Sequence, residues 1–141
     1  MTLYDLIAQA AQRLQAAGVA FGHGTTNAFD EAAWLVLWQL GLPLDTDLQA
    51  EGAREVEPEA ALALIEQRIA TRQPAAYLTH EAWLQGVPFY VDERAIVPRS
   101  FIAELIADAG IDPWLSETTT KVLDLCTGNG SLAVLAAMAW P

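Results

Sequence analysis

The sequence has 141 residues, enough for one ordinary domain or two very small ones. Hydrophobic residues make up 53% and charged residues 18%, so a packed core is expected and wholesale disorder is excluded. Seven Lys and Arg residues stand against 18 Asp and Glu residues, a formal net charge of −11. Because such a surface repels phosphate backbones and attracts cations, we expect a basic protein partner and no direct nucleic-acid binding.

The sequence also predicts the cellular location of the protein. Cys126 is the only cysteine, so the chain cannot form an internal disulfide, as is typical of the reducing cytoplasm. Residues 1–5 lack the basic region and small-residue cleavage site of a signal peptide. The fully apolar runs, of which 32–38 and 132–140 are examples, are far shorter than the roughly 20 residues that cross a bilayer. We therefore expect a cytoplasmic protein without a membrane span.

The first 73 residues predict a small helical bundle. Thr2 and Asp5 resemble a capping box, and Asn27 can cap a second helix that is apolar on every side at its centre. Pro58 suits the first turn of a third helix, with a buried stripe of Leu62, Ile65 and Ile69. The predicted helices cover residues 2–17, 27–40 and 58–72.

Two features of this region have alternative interpretations. Trp34 and Trp38 lie four residues apart on one helix face, which is typical of core packing but also of a pair that stacks on a ligand. An acidic stretch relieved only by Arg54 is either a solvated loop or a docking patch for a basic protein. Its acidic members are Asp45, Asp47, Glu51, Glu55, Glu57 and Glu59.

Residues 74–98 are predicted to be an extended linker that contains a β-hairpin. The predicted strands are 81–85 and 89–92, joined by a turn at 86–88. Pro98 favours an extended conformation for its predecessor, and Ser100 can cap a helix that Gly110 closes. His23 and His80 are far apart and lack neighbouring ligands, so we expect no metal site.

The last segment predicts a strand, a glycine turn and a helix. A short buried-type strand over 121–125 runs into Gly128-Asn129-Gly130 and then into an apolar helix over 132–139. This order is typical of the first unit of a nucleotide-binding α/β fold, in which glycines let a ligand approach the backbone. The helix N-terminus offers free N–H groups to a carboxylate or phosphate. A plain tight turn is the alternative.

These motifs resemble a known family. Residues 122–130 resemble the first motif of S-adenosylmethionine-dependent methyltransferases with a Rossmann-like fold. Upstream, the chain resembles protein-glutamine methyltransferases of the PrmB/HemK type. The match is closest to the PrmB branch, which modifies a large-subunit ribosomal protein, since Ser100 and Cys126 stand where the release-factor enzymes usually have Pro and Gly. The upstream segments that carry the match are 74–79, 81–83, 89–94 and 97–100.

The resemblance implies an α+β protein with three parts. A helical substrate-recognition bundle occupies 1–73, a hairpin linker 74–98, and the incomplete start of a Rossmann-like S-adenosylmethionine-binding domain 99–141. The implied reaction is methylation of a glutamine side-chain amide in a basic ribosomal protein. Implied cofactor-binding residues are Asp124, Cys126, Thr127, Gly128, Asn129 and Gly130.

No catalytic residue is expected in this chain, because it lacks the Asn-Pro-Pro-Tyr loop with which the family grips the target glutamine. Arg99 and Phe89 either line the catalytic side or serve as an ion-pair partner and a hairpin core residue. The chain alone is therefore expected to be inactive. A rival hypothesis is a non-catalytic acidic module that docks a basic ribosomal protein, and another is a nucleotide-binding fragment of a different enzyme.

A single parallel strand leaves its backbone groups unpaired. We therefore expect the residues from about Lys121 onward either to pack against a second copy of the chain or to be marginally ordered.

Overall fold

Helices and one two-stranded antiparallel sheet make this an α+β protein, as the sequence predicts. The structure is a computed structural model that describes residues 1–141 and separates into two units, Met1–Thr79 and His80–Pro141. The first unit contains α1 (Leu3–Ala16), α2 (Ala28–Gln39), α3 (Leu48–Glu51), α4 (Glu59–Thr71) and α5 (Ala75–Thr79). The second contains β1 (Glu81–Leu84), β2 (Val87–Tyr90), α6 (Phe101–Ala107), a 3₁₀ turn (Asp112–Trp114) and α7 (Ser131–Ala139).

Side-chain caps fix where the first two helices begin, and both caps were predicted. The Thr2 hydroxyl accepts a hydrogen bond from the Asp5 N–H at 3.1 Å, and Asn27 Oδ1 accepts one from the Asp30 N–H at 2.8 Å. Each cap satisfies a backbone donor that has no partner within the helix, which stabilises that helix start by about 1 kcal/mol. None of the helices combines the length and the apolar composition that crossing a bilayer requires.

The core of the first unit lies where α1 packs against α2 and α4. Trp34 and Trp38 are half-buried and pack against this core, so they are core residues. The predicted stripe of α4 faces this core: Ile65 is fully buried, and Leu62 and Ile69 are half-buried and pack against the same cluster. The fully buried α4 positions are Ala61, Leu64, Ile65 and Arg68.

A buried ion pair joins α2 to α4. Arg68 Nε lies 2.5 Å from Glu31 Oε1, and the two side chains are 3% and 4% exposed. The second Glu31 oxygen accepts a hydrogen bond from the Thr25 hydroxyl at 3.1 Å, and Arg68 Nη2 donates to the Ala20 carbonyl at 2.8 Å. The pair therefore also fastens the loop between α1 and α2 to the bundle.

The acidic stretch is not a simple loop. Asp47 Oδ1 caps α3 by accepting a hydrogen bond from the Gln49 N–H at 2.9 Å. Farther along, Glu55 pairs with Thr2 in an antiparallel bridge, and its carboxylate lies 2.7 Å from the N-terminal ammonium. Backbone pairing with the first residues of the chain therefore orders the end of this segment, while its six acidic side chains are exposed to solvent.

The hairpin of the second unit is confirmed, although its turn is shorter than predicted and begins one residue earlier. Leu84 pairs with Val87, so the turn consists of Gln85 and Gly86, whose φ angles are 50° and 73°. A two-residue turn with both residues at positive φ matches the right-handed twist of the strands. The predicted three-residue turn would not have this backbone geometry.

Two other predictions for the backbone were wrong. Residues 75–79 form α5, although they were expected to be extended. Residues 121–125 form no strand, because the described chain supplies no neighbouring strand to pair with them. Their side chains Val122, Leu123 and Leu125 are 63%, 85% and 80% exposed. Beyond them α7 forms as predicted.

Arg94 folds back onto Asp92 just after the hairpin. Its Nε and Nη2 atoms donate to the two carboxylate oxygens of Asp92 at 2.9 and 2.7 Å. These hydrogen bonds, together with the Arg94 backbone N–H, lower the pKa of Asp92 to about 2. Asp92 is therefore ionised at neutral pH.

We expect Arg68→Met to lower the free energy of unfolding by about 3–5 kcal/mol, because it leaves the Glu31 carboxylate buried without its partner. Urea unfolding followed by circular dichroism measures this. The control is Arg13→Met, which breaks an exposed pair to Glu66 and should cost at most about 1 kcal/mol. Equal small effects of both substitutions would contradict a structural role for the buried pair.

We expect the Asp92 carboxyl to titrate near pH 2 in a ¹³C NMR experiment, and Arg94→Gln to return its pKa toward about 4. Because the folded-state pKa is lowered, this pair stabilises the fold above the ordinary aspartate pKa and loses its effect as the pH falls toward 2. Lys121→Gln removes a cation elsewhere and should leave the titration unchanged. An Asp92 midpoint near 4 in the unsubstituted chain would contradict the pairing.

Candidate cofactor-binding turn

The six predicted cofactor-binding residues lie in one turn that leads into α7. Its backbone takes positive φ at every second position, 61° at Cys126, 60° at Gly128 and 84° at Gly130. The Gly130 N–H donates to the Thr127 carbonyl at 2.9 Å, and Gly130 is the residue that precedes the first turn of α7. The turn therefore places its backbone directly at the N-terminus of a helix.

Hydrogen bonds within the turn hold two of its polar side chains. The Thr127 hydroxyl donates to Asp124 Oδ2 at 2.7 Å, and Asn129 Oδ1 accepts from the Ser131 N–H at 3.2 Å. The first bond joins the two ends of the 124–127 segment, and the second satisfies one free donor at the start of α7. Asp124 and Asn129 are therefore held in place by neighbours in the sequence.

Two observations test whether these residues fit a ligand. A Cβ atom added at Gly128 or Gly130 would meet no atom within 4 Å, so both glycines face open space that a ligand can enter. The Asn129 Nδ2 atom is buried and has no hydrogen-bond partner. Buried donors are normally satisfied, so this amide fits an acceptor on a bound molecule such as a carboxylate or hydroxyl oxygen. The turn therefore offers space and an unused donor to a ligand that carries a carboxylate or hydroxyl oxygen.

Two cavities adjoin the turn, and Asp124 lines both. The larger, about 330 Å³, lies between α6, residues 122–125 and α7, and Asp124 is the one charged residue among apolar neighbours. The smaller, about 270 Å³, is bordered by Thr120, Val122, Asp124, three alanines of α7 and Trp140. A ligand in either space would meet this carboxylate.

The other candidate residues lie outside this turn. No group of three or more His, Cys, Asp and Glu side chains could hold a metal ion. Phe89 is half-buried within β2, and Arg99 is exposed just before α6. Sequence reasoning missed the unsatisfied amide of Asn129 and the burial of Ser131, since neither has a signal in the pattern of residue types.

Comparison with known proteins identifies close relatives along almost the whole chain. It is 55% identical to the ribosomal protein uL3 glutamine methyltransferase of Burkholderia pseudomallei and 54% identical to that of Bordetella pertussis. It is 50% identical to the enzyme of the same name from Neisseria meningitidis serogroup B. Each match covers 99% of this chain. No protein-family model matches the chain.

The chain spans about half the length of the curated relatives it matches, 47%, 48% and 47% of the three named above. The matched part is their N-terminal part. The resemblance to the PrmB branch of glutamine methyltransferases is therefore confirmed, and it applies to the N-terminal portion of those proteins.

Cys126→Gly is expected to raise the free energy of unfolding by about 1 kcal/mol, because a residue with a Cβ is strained at positive φ and glycine is not. Urea unfolding measures the difference. Cys126→Ala is the control, since it removes the thiol but keeps the Cβ, and it should show no gain. Equal stability of the Gly and Ala variants would contradict the left-handed conformation of Cys126.

Proposed function

We propose that this chain forms the N-terminal half of a methyltransferase that modifies a glutamine side-chain amide in ribosomal protein uL3. The observation that carries the proposal is the match of 99% of the chain to enzymes of that name at 50–55% identity. The geometry of the 124–130 turn supports it, because it combines open glycines with an unsatisfied buried donor. We further propose that the protein acts in the cytoplasm.

The proposed cofactor is S-adenosylmethionine, which would supply an electrophilic methyl group. Gly128 and Gly130 would let it approach the backbone, and the Asn129 amide would donate a hydrogen bond to one of its oxygens. Asp124 would accept hydrogen bonds from a cationic or hydroxyl group. Cys126 and Thr127 complete the turn, Cys126 through its positive φ and Thr127 through its bond to Asp124.

We propose that residues 121–139 are the first β–α unit of a Rossmann-like domain that begins near residue 99. The exposed side chains of Val122, Leu123 and Leu125 support this, since the strands of such sheets are normally buried on both faces. A neighbouring strand would supply the missing backbone partners and cover the groove beside α7. A second copy of the chain or the C-terminal half found in the relatives would provide it.

Substrate recognition is proposed for the acidic bundle, residues 1–73, with the hairpin segment 74–98 as the linker. The net charge of −11 favours a basic partner, and ribosomal proteins that bind RNA are basic. The same charge supports the rival hypothesis of a non-catalytic docking module, because docking a basic protein requires an acidic surface but no Asn-Pro-Pro-Tyr loop. The two hypotheses differ in whether cofactor binding accompanies docking.

The deciding experiment joins this chain to the C-terminal half of the Burkholderia pseudomallei relative and supplies uL3 with radiolabelled S-adenosylmethionine. We expect the chimera to methylate one glutamine and the 141-residue chain alone to be inactive. Gly128→Val should lower transfer by 100-fold or more (about 2.7 kcal/mol), because its side chain would fill the space that the cofactor needs.

The matched control is Gly18→Val. Gly18 has φ +61° and open space around its Cβ position, so the substitution carries the same backbone strain without touching the turn. It should leave transfer within about 3-fold of the unsubstituted chimera. Calorimetric titration of the chimera with S-adenosylmethionine separates binding from chemistry. A chimera that binds uL3 in a salt-sensitive way but takes up no cofactor would favour the docking module.

A further inference from the structure

One face of the hairpin presents aromatic rings to solvent. In the register of the sheet, Trp83 lies opposite Pro88, and Glu81 lies opposite Tyr90. Trp83 and Tyr90 are 50% and 64% exposed, whereas Ala82, on the other face, is buried. We call the set His80, Glu81, Trp83, Pro88 and Tyr90 the hairpin aromatic face. Large exposed apolar side chains gathered on one face are typical of interaction sites.

Neighbouring side chains hold both large rings in position. The Trp83 indole N–H donates to Glu81 Oε1 at 2.6 Å. The Tyr90 ring stacks on the His80 ring, with centroids 5.3 Å apart and planes inclined by 10°. His80 Nδ1 in turn lies 3.1 Å from the Val91 carbonyl oxygen. Because each ring has a contact that restricts its rotation, binding on it costs less conformational entropy than binding on a ring without one.

The charge around this face favours a cation. Of the four charged residues in 80–94, Glu81, Asp92 and Glu93 are acidic and Arg94 is basic. The whole unit His80–Pro141 holds eight acidic side chains against three basic ones. A guanidinium placed over an indole or phenol ring gains from the negative face of the ring, and the Glu81 carboxylate beside Trp83 adds an ionic attraction.

We propose that the hairpin aromatic face docks an extended, arginine-containing segment of a basic protein, with a guanidinium stacked on Trp83 or Tyr90 beside the Glu81 carboxylate. The inference rests on two aromatic rings that lie beside a carboxylate. The net negative charge favours a basic partner. That the segment belongs to the methylated protein rests on the proposed function, whereas the docking itself does not. A proline-rich segment would use the same rings but gain nothing from the carboxylates.

The test measures binding of a fluorescein-labelled peptide of alternating glycine and arginine to the 141-residue chain by fluorescence anisotropy. Trp83→Thr and Tyr90→Thr should each weaken binding by about 5-fold, within the range of one cation–π contact. Threonine keeps the strand propensity of both positions. Trp114→Thr is the matched control, because Trp114 is an exposed tryptophan outside the hairpin, and it should leave binding within 2-fold.

Salt and peptide composition separate docking from general attraction. At 0.5 M salt, wild-type binding weakens, but the ratio between wild type and Trp83→Thr should persist, because stacking is screened less than long-range charge. A peptide with citrulline in place of arginine should bind at least 5-fold more weakly. The proposal is overturned if both Thr variants bind like wild type at every salt concentration, or if oligoproline binds more tightly than the arginine peptide.

A second measurement does not depend on the variants folding. The chain has five tryptophans, so five indole N–H signals are expected in a ¹H–¹⁵N NMR spectrum. Titration with the arginine peptide should shift the Trp83 signal and leave that of Trp34, which packs against the bundle core, unchanged. An unmoved Trp83 signal overturns the docking site even if the chimera methylates uL3. A shifted signal in a chimera that transfers no methyl group supports docking while contradicting the proposed function.

Discussion

The buried pair of Glu31 and Arg68 is the interaction on which the arrangement of the helical unit depends. It joins α2 to α4, and through Thr25 and the Ala20 carbonyl it also fixes the loop that leads out of α1. Placing two charges in a core is costly unless each is fully hydrogen-bonded. Here polar partners from one loop and two helices meet at that pair, so the order of the loop and the packing of the helices depend on each other.

Whether the sequence predicts a feature of this fold depends on how far apart in the chain the interacting residues lie. The caps at Thr2, Asn27 and Ser100 and the hairpin were predictable, because each depends on residues two to four positions apart or on a short turn. Glu31 lies in the first turn of α2, where the helix dipole favours a negative charge. Its actual partner is 37 residues away, and no periodicity in the sequence indicates such a pairing.

The candidate site likewise combines features that the sequence predicts with features that it does not. Its six residues are consecutive or nearly so, and their spacing alone predicts that they share one turn. The spare donor of Asn129 and the bond from Thr127 to Asp124 depend on the φ angles of the turn, which residue types alone do not determine. The missing strand at 121–125 has a different cause, because strand formation needs a partner strand as well as a suitable sequence.

The two units are therefore stabilised in different ways. The bundle buries its apolar helix faces and its one buried ion pair within residues 1–79. The second unit leaves Leu123 and Leu125 in solvent beside an apolar groove, although its glycine turn and its hairpin are each held by local hydrogen bonds. Local bonds are sufficient to orient a turn or an aromatic ring, but apolar surface must be covered by another element. The chain by itself therefore orients the hairpin rings and the glycine turn, whereas the apolar side chains of residues 121–125 require another element to cover them.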